Sequence, residues 1–228
     1  RQRQMCIRDS TGIPHLFLEI GKSRQVTGEM LELIQEGVAL GLRTLPGRPM
    51  AVMGDDYNRI DQSGGLDSDP GALVSSPILI KLVDEDVLRL TIMMFGGGPA
   101  IRGITQHVFH KHSVQAVIDE IVTRAIPAVA QLGCSPCTLA VGIGRSQFEA
   151  TSMMMEAMVK GNYNEQTEFE KNITDKVNES NVGALGLGGK TSVLATFAKI
   201  GPQRASGVRI VALRPCCCIE PRRASVEL

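Results

Sequence analysis

The sequence predicts an α+β fold, a mixed α/β architecture arranged as one large domain or two small lobes. A chain of 228 residues is long enough to bury a full hydrophobic core. Segments with helical spacing of apolar residues occur beside short apolar runs that are typical of strands. These segments follow one another without the regular βαβ alternation of a doubly wound sheet, so helices around small mixed sheets are favoured.

The first half of the chain is predicted to hold three strands and a helix. Residues 13–20 read as a short strand, and apolar residues then recur at helical spacing from 25 to 42. Residues 44–76 are rich in Gly, Pro, Asp and Ser, and a loop of this length inside a compact domain is usually functional or mobile. The apolar runs 78–83 and 87–94 flank three acidic residues, which predicts a β-hairpin.

The second half is predicted to mix three helices with three strands. Ser113 is a suitable N-cap for a helix that continues to Leu132, and Pro127 is expected to kink it. The remaining predicted elements are a buried strand, two helices and two strands, over residues 138–143, 146–159, 165–177, 193–200 and 208–213.

Composition excludes several classes of protein. The 24 Lys and Arg residues balance the 24 Asp and Glu residues, so nothing indicates binding to nucleic acid or to an anionic membrane surface. No apolar run approaches the roughly 18 residues that a membrane-spanning helix needs. Five of the six cysteines fall in two tight groups, a pattern of metal ligands or reactive thiols in a reducing compartment. We therefore expect a cytoplasmic protein.

Residues 1–10 are treated separately from the domain predicted over residues 11–228. They are not amphipathic, match no start signal and have no apolar segment of the kind that follows the basic start of a secretory signal. We interpret them as a non-native stub of translated adapter sequence that replaces the native N-terminus. The alternative is an ordinary frayed terminus.

The two cysteine groups are Cys134-Ser-Pro-Cys137 and Cys216-Cys-Cys218. A Cys-x-x-Cys pair by itself is compatible with half a zinc site, a redox pair or two buried cysteines. The second group favours a metal centre, but its cysteines are consecutive, whereas zinc pairs are normally separated by two to four residues. Iron–sulfur clusters accept thiolates from distant loops. Packed core or loop cysteines remain the alternative.

Between the cysteine groups lies a glycine-rich segment that ends in a lysine, Gly183 to Thr191. A phosphate-binding P-loop needs glycine where Ala184 stands, and it follows a buried strand rather than a polar helix. The remaining feature is flexible backbone with several N–H groups beside the cation of Lys190. Such a segment suits a carboxylate as well as a phosphate, and the alternative is a simple helix-to-strand turn.

In the order of these motifs, the chain resembles the α subunit, or N-terminal domain, of the iron–sulfur hydro-lyases, class I fumarase and L(+)-tartrate dehydratase. The family carries a Cys-Pro-Pro segment before Gly-Val-Gly-Ile-Gly, then Gly-Phe-Gly-Gly-Lys-Thr-Thr, then Cys-Trp-Ala-x-Arg-Arg. The matching segments here are Cys134 with Gly142-Ile-Gly144, Gly186-Leu-Gly-Gly-Lys190-Thr-Ser192, and Cys218-Ile-Glu-Pro-Arg222-Arg223. Weaker upstream matches, in the same order, are Ser10-Thr11-Gly12, Glu36-Gly-Val38, Arg48-Pro49 and Phe95-Gly-Gly-Gly98.

The resemblance implies a [4Fe–4S] cluster held by three cysteines, with an open iron that acts as a Lewis acid. It assigns Cys134 and Cys218 as ligands. The family's third cysteine falls at Arg8, with Cys6 the nearest thiol, and its catalytic aspartate falls at Ser10. The implied substrate-binding residues are Thr11, Gly12, Arg48, Gly97, Gly98 and Lys190.

The family resemblance also implies partners and a reaction. The expected reaction is reversible dehydration of a C4 hydroxy-dicarboxylate, either malate/fumarate or tartrate, and a β subunit is expected to complete the site. The assembly is expected to be a hetero-oligomer or a homodimer of α chains. Because Phe95 replaces the lysine before the triple glycine and Ile219 replaces a tryptophan, a second hypothesis stands beside the first. It is a non-catalytic binding or scaffold subunit with zinc or no metal.

Overall fold

Two four-stranded sheets carry the fold, one in each of two structural units. The computed structural model describes residues 12–45, 48–96, 101–133, 135–216 and 222–228. Unit 1 consists of Arg1–Gly97 and Arg222–Leu228, and unit 2 of Gly98–Pro221. Five α-helices and eight strands lie in the described part of the chain, which confirms the predicted α+β class.

The strands are β1 (Ile13–Gly21), β2 (Leu79–Val83), β3 (Leu88–Phe95), β4 (Ile104–Phe109), β5 (Cys137–Gly144), β6 (Val193–Ile200), β7 (Val208–Pro215) and β8 (Arg222–Glu227). The α-helices are α1 (Gly28–Thr44), α2 (Asp56–Asp61), α3 (Val114–Ala130), α4 (Gln147–Lys160) and α5 (Glu168–Glu179). Two short 3₁₀ helices, Pro70–Ala72 and Ala184–Gly186, complete the described elements.

Unit 1 has the strand order β2-β1-β3-β8. Helix α1 packs against this sheet because Ile34, Val38 and Leu42 recur every four residues and so lie on one helical face. They form a buried cluster with residues of β1 and β3, including Leu16 and Leu90. The helix starts after Thr27, whose side-chain oxygen accepts a hydrogen bond from the backbone N–H of Met30 at 3.2 Å.

The predicted hairpin between β2 and β3 is wrong, because β1 lies between them. Strand β2 pairs with β1 in parallel, and β3 pairs with β1 antiparallel. The acidic connection after β2 passes the end of β1, where the N–H of Gly21 donates to the carbonyl oxygen of Val87 at 2.7 Å. A Cβ atom at Gly21 would lie 2.3 Å from the carbonyl oxygen of Glu85, so glycine permits this passage.

Unit 2 has the strand order β4-β7-β5-β6. All eight residues of β5 are buried, as expected for a central strand covered on both faces. Helices α3 and α5 contribute Ile121, Val129 and Ile173 to the cluster on one face. On the other face α4 approaches β5 closely, because a Cβ atom at Gly142 would lie 2.0 Å from the carbonyl oxygen of Ala150.

Two strands, β4 and β8, are not predicted from the sequence, and both are edge strands. In β4 only Val108 is buried, and in β8 no residue is. Neither strand therefore shows the apolar run or clean alternation that marks a half-buried strand. The long loop over 44–76 also contains α2, which begins with a capping box between Asp55 and Asn58.

The other elements lie close to their predicted positions. Ser113 caps α3, its side-chain oxygen accepting from the N–H of Ala116 at 3.3 Å, and Pro127 lies inside that helix. Within the described ranges, no helix is both long enough and apolar enough to cross a bilayer.

Candidate functional site

Three motif-bearing segments meet at the end of the unit 2 sheet where β5 and β6 begin and β7 ends. We call this end of the strands the unit 2 edge. Strand β5 runs parallel to β6 and antiparallel to β7, so the start of β5 lies beside the start of β6 and the end of β7. The segments that meet there are the turn before Cys137, the glycine-rich loop that ends at Lys190, and the chain around Cys216. Pairing of the strands thus brings together motifs that are far apart in sequence.

Backbone hydrogen bonds fix this meeting point. The N–H of Cys137 donates to the carbonyl oxygen of Ser192 at 3.0 Å, which joins the first cysteine group to the end of the glycine-rich loop. The N–H of Cys216 donates to the carbonyl oxygen of Thr138 at 2.6 Å, which joins the second cysteine group to β5.

The predicted ligands themselves, Cys134 and Cys218, lie outside the described residues. Their proximity therefore stays a prediction, and the same holds for Arg8, Cys6 and Ser10. Among the residues that the structure describes, no group of three or more His, Cys, Asp or Glu side chains is arranged to hold a metal ion.

The described cysteines, Cys137 and Cys216, are both buried. Cys137 is 0% exposed and belongs to the hydrophobic cluster under α3 and α5, and Cys216 is 4% exposed. A cysteine in such surroundings behaves as a small apolar side chain. The family resemblance assigns ligand roles to Cys134 and Cys218 and assigns none to these two cysteines.

The glycine-rich loop closes on itself. Gly183 has φ of +64°, and a Cβ atom there would lie 2.1 Å from the carbonyl oxygen of Gly188. The N–H of Gly188 donates to the carbonyl oxygen of Val182 at 2.9 Å. The loop follows α5, a helix of mostly polar residues, and so lacks the strand that precedes a P-loop.

Two cations lie near this edge of unit 2. Lys190 is exposed and forms no ion pair with any residue in the described part of the chain. Arg214 is on β7, two residues before Cys216, and is only 7% exposed. An ammonium group beside several backbone N–H groups can attract a carboxylate.

In unit 1 the Thr-Gly motif meets the start of the triple glycine. Gly12 precedes β1 with φ of +73°, and a Cβ atom there would lie 2.2 Å from the carbonyl carbon and oxygen of Phe95 and 2.6 Å from the nitrogen of Gly96. Glycine is therefore required at position 12. The neighbouring predicted residues Thr11, Gly97 and Gly98 lie outside the described residues.

The arginine predicted to bind substrate, Arg48, is exposed at the start of a described segment. A nearby arginine has a structural role: Arg43 donates to both carboxylate oxygens of Asp69 at 2.8–3.2 Å. This guanidinium, helped by the N–H of Gly71, holds the pKa of Asp69 below its usual value. The pair fastens the 3₁₀ helix to the end of α1.

The arginine pair at the end of the last motif lies in a strand. Arg222 and Arg223 begin β8, where they pair in register with Met94 and Met93 of β3. From sequence, such a pair is either solvated at the surface or a brace for the cluster loop. In the structure they belong to the backbone ladder of the unit 1 sheet, so their positions are set by strand pairing.

Sequence reasoning missed the side chains that hold the unit 2 edge together. Ser192, Asn178 and Thr138 carry hydrogen bonds there, and the hydroxyl groups of Thr138 and Tyr163 are 2.6 Å apart. The only available signal was the match of Ser192 to the last threonine of the family's glycine loop. Asn178 and Tyr163 belong to no motif.

The fold and the arrangement of its motifs define a class: an α+β protein whose cysteine-, glycine- and lysine-bearing segments meet where strands begin and end. The family model described as fumarate hydratase (fumerase) matches residues 1–227. The chain therefore belongs to the fumarate hydratase family, and the predicted family resemblance is confirmed.

Relatives named as tartrate dehydratase subunits support the same assignment. The chain is 26% identical over 230 residues to the "Putative L(+)-tartrate dehydratase subunit alpha" of Methanocaldococcus jannaschii, covering 96% of this chain and 75% of that protein. It is 22% identical over 211 residues to the L(+)-tartrate dehydratase subunit alpha of Escherichia coli strain K12, covering 90% and 67%. The same values hold for the subunit alpha of Shigella boydii serotype 4.

Proposed function

We propose that this chain is the α-type subunit of a cytoplasmic hydro-lyase that reversibly dehydrates a C4 hydroxy-dicarboxylate, either malate/fumarate or tartrate. Membership of the fumarate hydratase family and the names of the relatives support the lyase class. The observation that carries the proposal is the meeting of Cys137, Cys216 and the end of the Lys190 loop where β5 and β6 begin and β7 ends.

The donor set at this edge fits an iron–sulfur cluster better than zinc. In sequence, the first cysteine group ends at the start of β5 and the second follows the end of β7, and cluster ligation tolerates thiolates from such distant segments. Cys134 and Cys218 would hold the cluster, and the third ligand position falls at Arg8, near Cys6. When bound, the cluster would supply a Lewis-acidic iron for the substrate hydroxyl and carboxylate.

The chain's own residues would bind and orient the substrate. Lys190 offers an ammonium group and Arg48 a guanidinium group, and each can bind one carboxylate of a dicarboxylate. Thr11, Gly12 and the backbone N–H groups of Gly97 and Gly98 would add hydrogen-bond donors. Backbone at Gly97 and Gly98 could approach a ligand closely, because glycine has no Cβ atom.

A partner is needed for proton transfer. Elimination of water requires a base for the C–H proton, and the family's acidic position holds Ser10 here, whose hydroxyl does not ionise near neutral pH. We propose that a β subunit supplies the other half of the site, as the designation of the relatives as subunit alpha suggests. The assembly would be a hetero-oligomer or would contain a dimer of α chains.

A second candidate function is favoured by one observation, the presence of Arg8 and Ser10 at the positions of a ligand and a catalytic acid. Under it, the chain is a non-catalytic binding or scaffold subunit with zinc or no metal.

Anaerobic reconstitution of the chain with iron and sulfide distinguishes the two functions. We expect that the chain, once cysteine and aspartate are restored at positions 8 and 10, becomes brown with broad visible absorption that is lost in air, and that it shows dehydratase activity with a β subunit. A colourless protein that retains only zinc would favour the scaffold function.

A further inference from the structure

Ser192 is completely buried, and its polar atoms bond to three different segments of unit 2. Its N–H donates to the side-chain oxygen of Asn178 at 2.8 Å. Its hydroxyl oxygen accepts from the N–H of Gly183 at 3.0 Å. Its carbonyl oxygen accepts from the N–H of Cys137 at 3.0 Å and from the hydroxyl of Ser135 at 3.4 Å. One residue therefore joins the start and end of the glycine loop to the cysteine turn.

Asn178 anchors this arrangement to α5. Its side-chain oxygen also accepts from the N–H of Val193 at 2.8 Å, and its amide nitrogen donates to the carbonyl oxygen of Val193 at 2.9 Å. The helix itself is fixed because Ile173 and Val177 are fully buried in the unit 2 core. The side-chain amide of Asn178 thus holds Ser192 and Val193, the first residue of β6, against helix α5.

The bonded segments are the ones that the proposed function uses. Ser192 follows Lys190 by two residues, Ser135 follows Cys134 directly, and Gly183 opens the loop. Neither Asn178 nor Ser192 offers a thiol or a cation. A role in this site must therefore act through the residues that they hold.

We propose that Asn178 and Ser192 are positioning residues, which hold Lys190 and the Ser135–Cys137 segment at a fixed distance and orientation to each other. The inference rests on the proposed function for what those segments do, and on the hydrogen bonds above for how they are held. A substrate whose carboxylate binds Lys190 would have its reacting carbon at the cluster held by the cysteines. A small change in the distance or orientation between the two segments would then slow the reaction by a large factor.

The two residues should have separable effects. Ser192→Ala removes the acceptor of the Gly183 N–H but keeps the backbone carbonyl that binds Cys137, so it should loosen the loop alone. Asn178→Leu removes all three side-chain hydrogen bonds at the start of β6 and should loosen both the loop and the cysteine turn. Asn178→Asp keeps the two acceptor interactions and loses the donor, so its effects should be intermediate.

The coupling is tested on the metal-free 228-residue chain by two measurements. The first is deuterium uptake by residues 183–191, and the second is the alkylation rate of Cys137, followed by peptide mass spectrometry. Each lost hydrogen bond contributes about 1 kcal/mol, so we expect uptake to rise roughly five- to tenfold in Ser192→Ala. Alkylation of Cys137 should rise by about tenfold or more in Asn178→Leu and change less than about twofold in Ser192→Ala.

Asn172→Leu is the matched control. Asn172 lies on the same helix, and its side chain makes no hydrogen bond with the part of the chain that the structure describes. Both rates should stay at their wild-type values in this variant. If Asn178→Leu fails to fold, Asn178→Asp and Ser192→Ala still test the coupling.

Kinetics of the complex between a β subunit and the Arg8→Cys/Ser10→Asp chain then test the positioning role, with each substitution added to that chain. Ser192→Ala should raise KM for the dicarboxylate with kcat nearly unchanged, whereas Asn178→Leu should also lower kcat. Unchanged exchange in Ser192→Ala, or altered exchange with unchanged KM, would overturn the inference. Absence of dehydratase activity in the parent complex, formed by the Arg8→Cys/Ser10→Asp chain and a β subunit, would instead overturn the proposed function, and exchange and alkylation alone would then decide whether the coupling exists.

Discussion

The backbone N–H of Cys216 donates to the carbonyl oxygen of Thr138 at 2.6 Å. This bond extends the antiparallel pairing of β7 with β5 by one residue, since Leu139 pairs with Pro215. It brings the second cysteine group to the strand that begins at Cys137. The proximity of the sequence-distant segments that contain Cys137 and Cys216 is therefore a consequence of sheet register, and the cluster hypothesis rests on it for its physical support.

Replacement of Gly12 by alanine should destabilise unit 1. The added Cβ atom would meet the Phe95 backbone at 2.2 Å, and the residue would keep φ of +73°. We expect a loss of about 2 kcal/mol or more in the free energy of unfolding, measured by urea denaturation. Gly37→Ala in α1 is the control: an added Cβ atom there meets nothing within 4 Å, so stability should rise by up to about 1 kcal/mol. Equal effects of the two substitutions would contradict this reading of Gly12.

The Arg43–Asp69 pair predicts a pH-dependent contribution to stability. The pKa of Asp69 is lowered in the folded state. The ionised carboxylate therefore stabilises the fold at pH values above the usual aspartate pKa of about 3.9. That contribution disappears as pH falls through the lower folded pKa. Asp69→Asn should therefore unfold at lower urea concentration than wild type at neutral pH, and the difference should vanish in acid.

Arg43→Gln should reduce the same pH dependence, because the guanidinium is the largest cause of the lowered pKa of Asp69. A difference between Asp69→Asn and wild type that stays constant from neutral to acidic pH would show that the pair does not couple to folding.

Deletion of residues 1–10 should leave the fold intact, because we predict that this segment is a non-native stub. The free energy of unfolding should change by less than about 0.5 kcal/mol, the range of substitutions away from structural contacts. Urea denaturation of the truncated and full-length chains checks this. A large loss of stability, or burial of Met5 and Ile7 in an experimental structure, would contradict it.

The unaltered chain should have no dehydratase activity by itself. It has Arg8 where a third ligand is expected and Ser10 where an acid is expected, and the proposed β half of the site is not supplied. The double variant Arg8→Cys/Ser10→Asp, combined with a β subunit, should show oxygen-sensitive dehydration of a C4 hydroxy-dicarboxylate. The same variant carrying Cys134→Ala should stay inactive. Measurable fumarate hydration by the unaltered chain alone would refute the claim that activity requires the restored ligand, the restored acid and a β subunit.

Much of the fold could be predicted because its core elements carry strong periodic signals. Helix α1 and strand β5 bury continuous or regularly spaced apolar residues, and Ser113 and Thr27 cap their helices with side chains suited to that role. The edge strands β4 and β8 carry no such signal because little of either is buried. The hairpin prediction failed because adjacency in sequence was taken as pairing, whereas β1 occupies the position between β2 and β3.

The candidate site also contains residues that the sequence predicts and residues that it does not. The cysteines, Lys190 and Gly12 could be selected from sequence because their residue types and order match a family pattern. Asn178 could not, since a polar residue in the last turn of a helix is ordinarily solvated. Its role depends on how α5 packs beside β6, a tertiary contact that the local sequence does not determine.

Iron content after anaerobic reconstitution tests the central claim, that Cys134 and Cys218 hold the cluster, most directly. Iron and acid-labile sulfide per chain should be measured in the double variant that restores the N-terminal positions, with each cysteine replaced by alanine in turn. We predict that Cys134→Ala and Cys218→Ala lose the bound iron, while alanine at Cys137, Cys216 or Cys217 retains it. Full iron content in either of the first two variants would contradict the account.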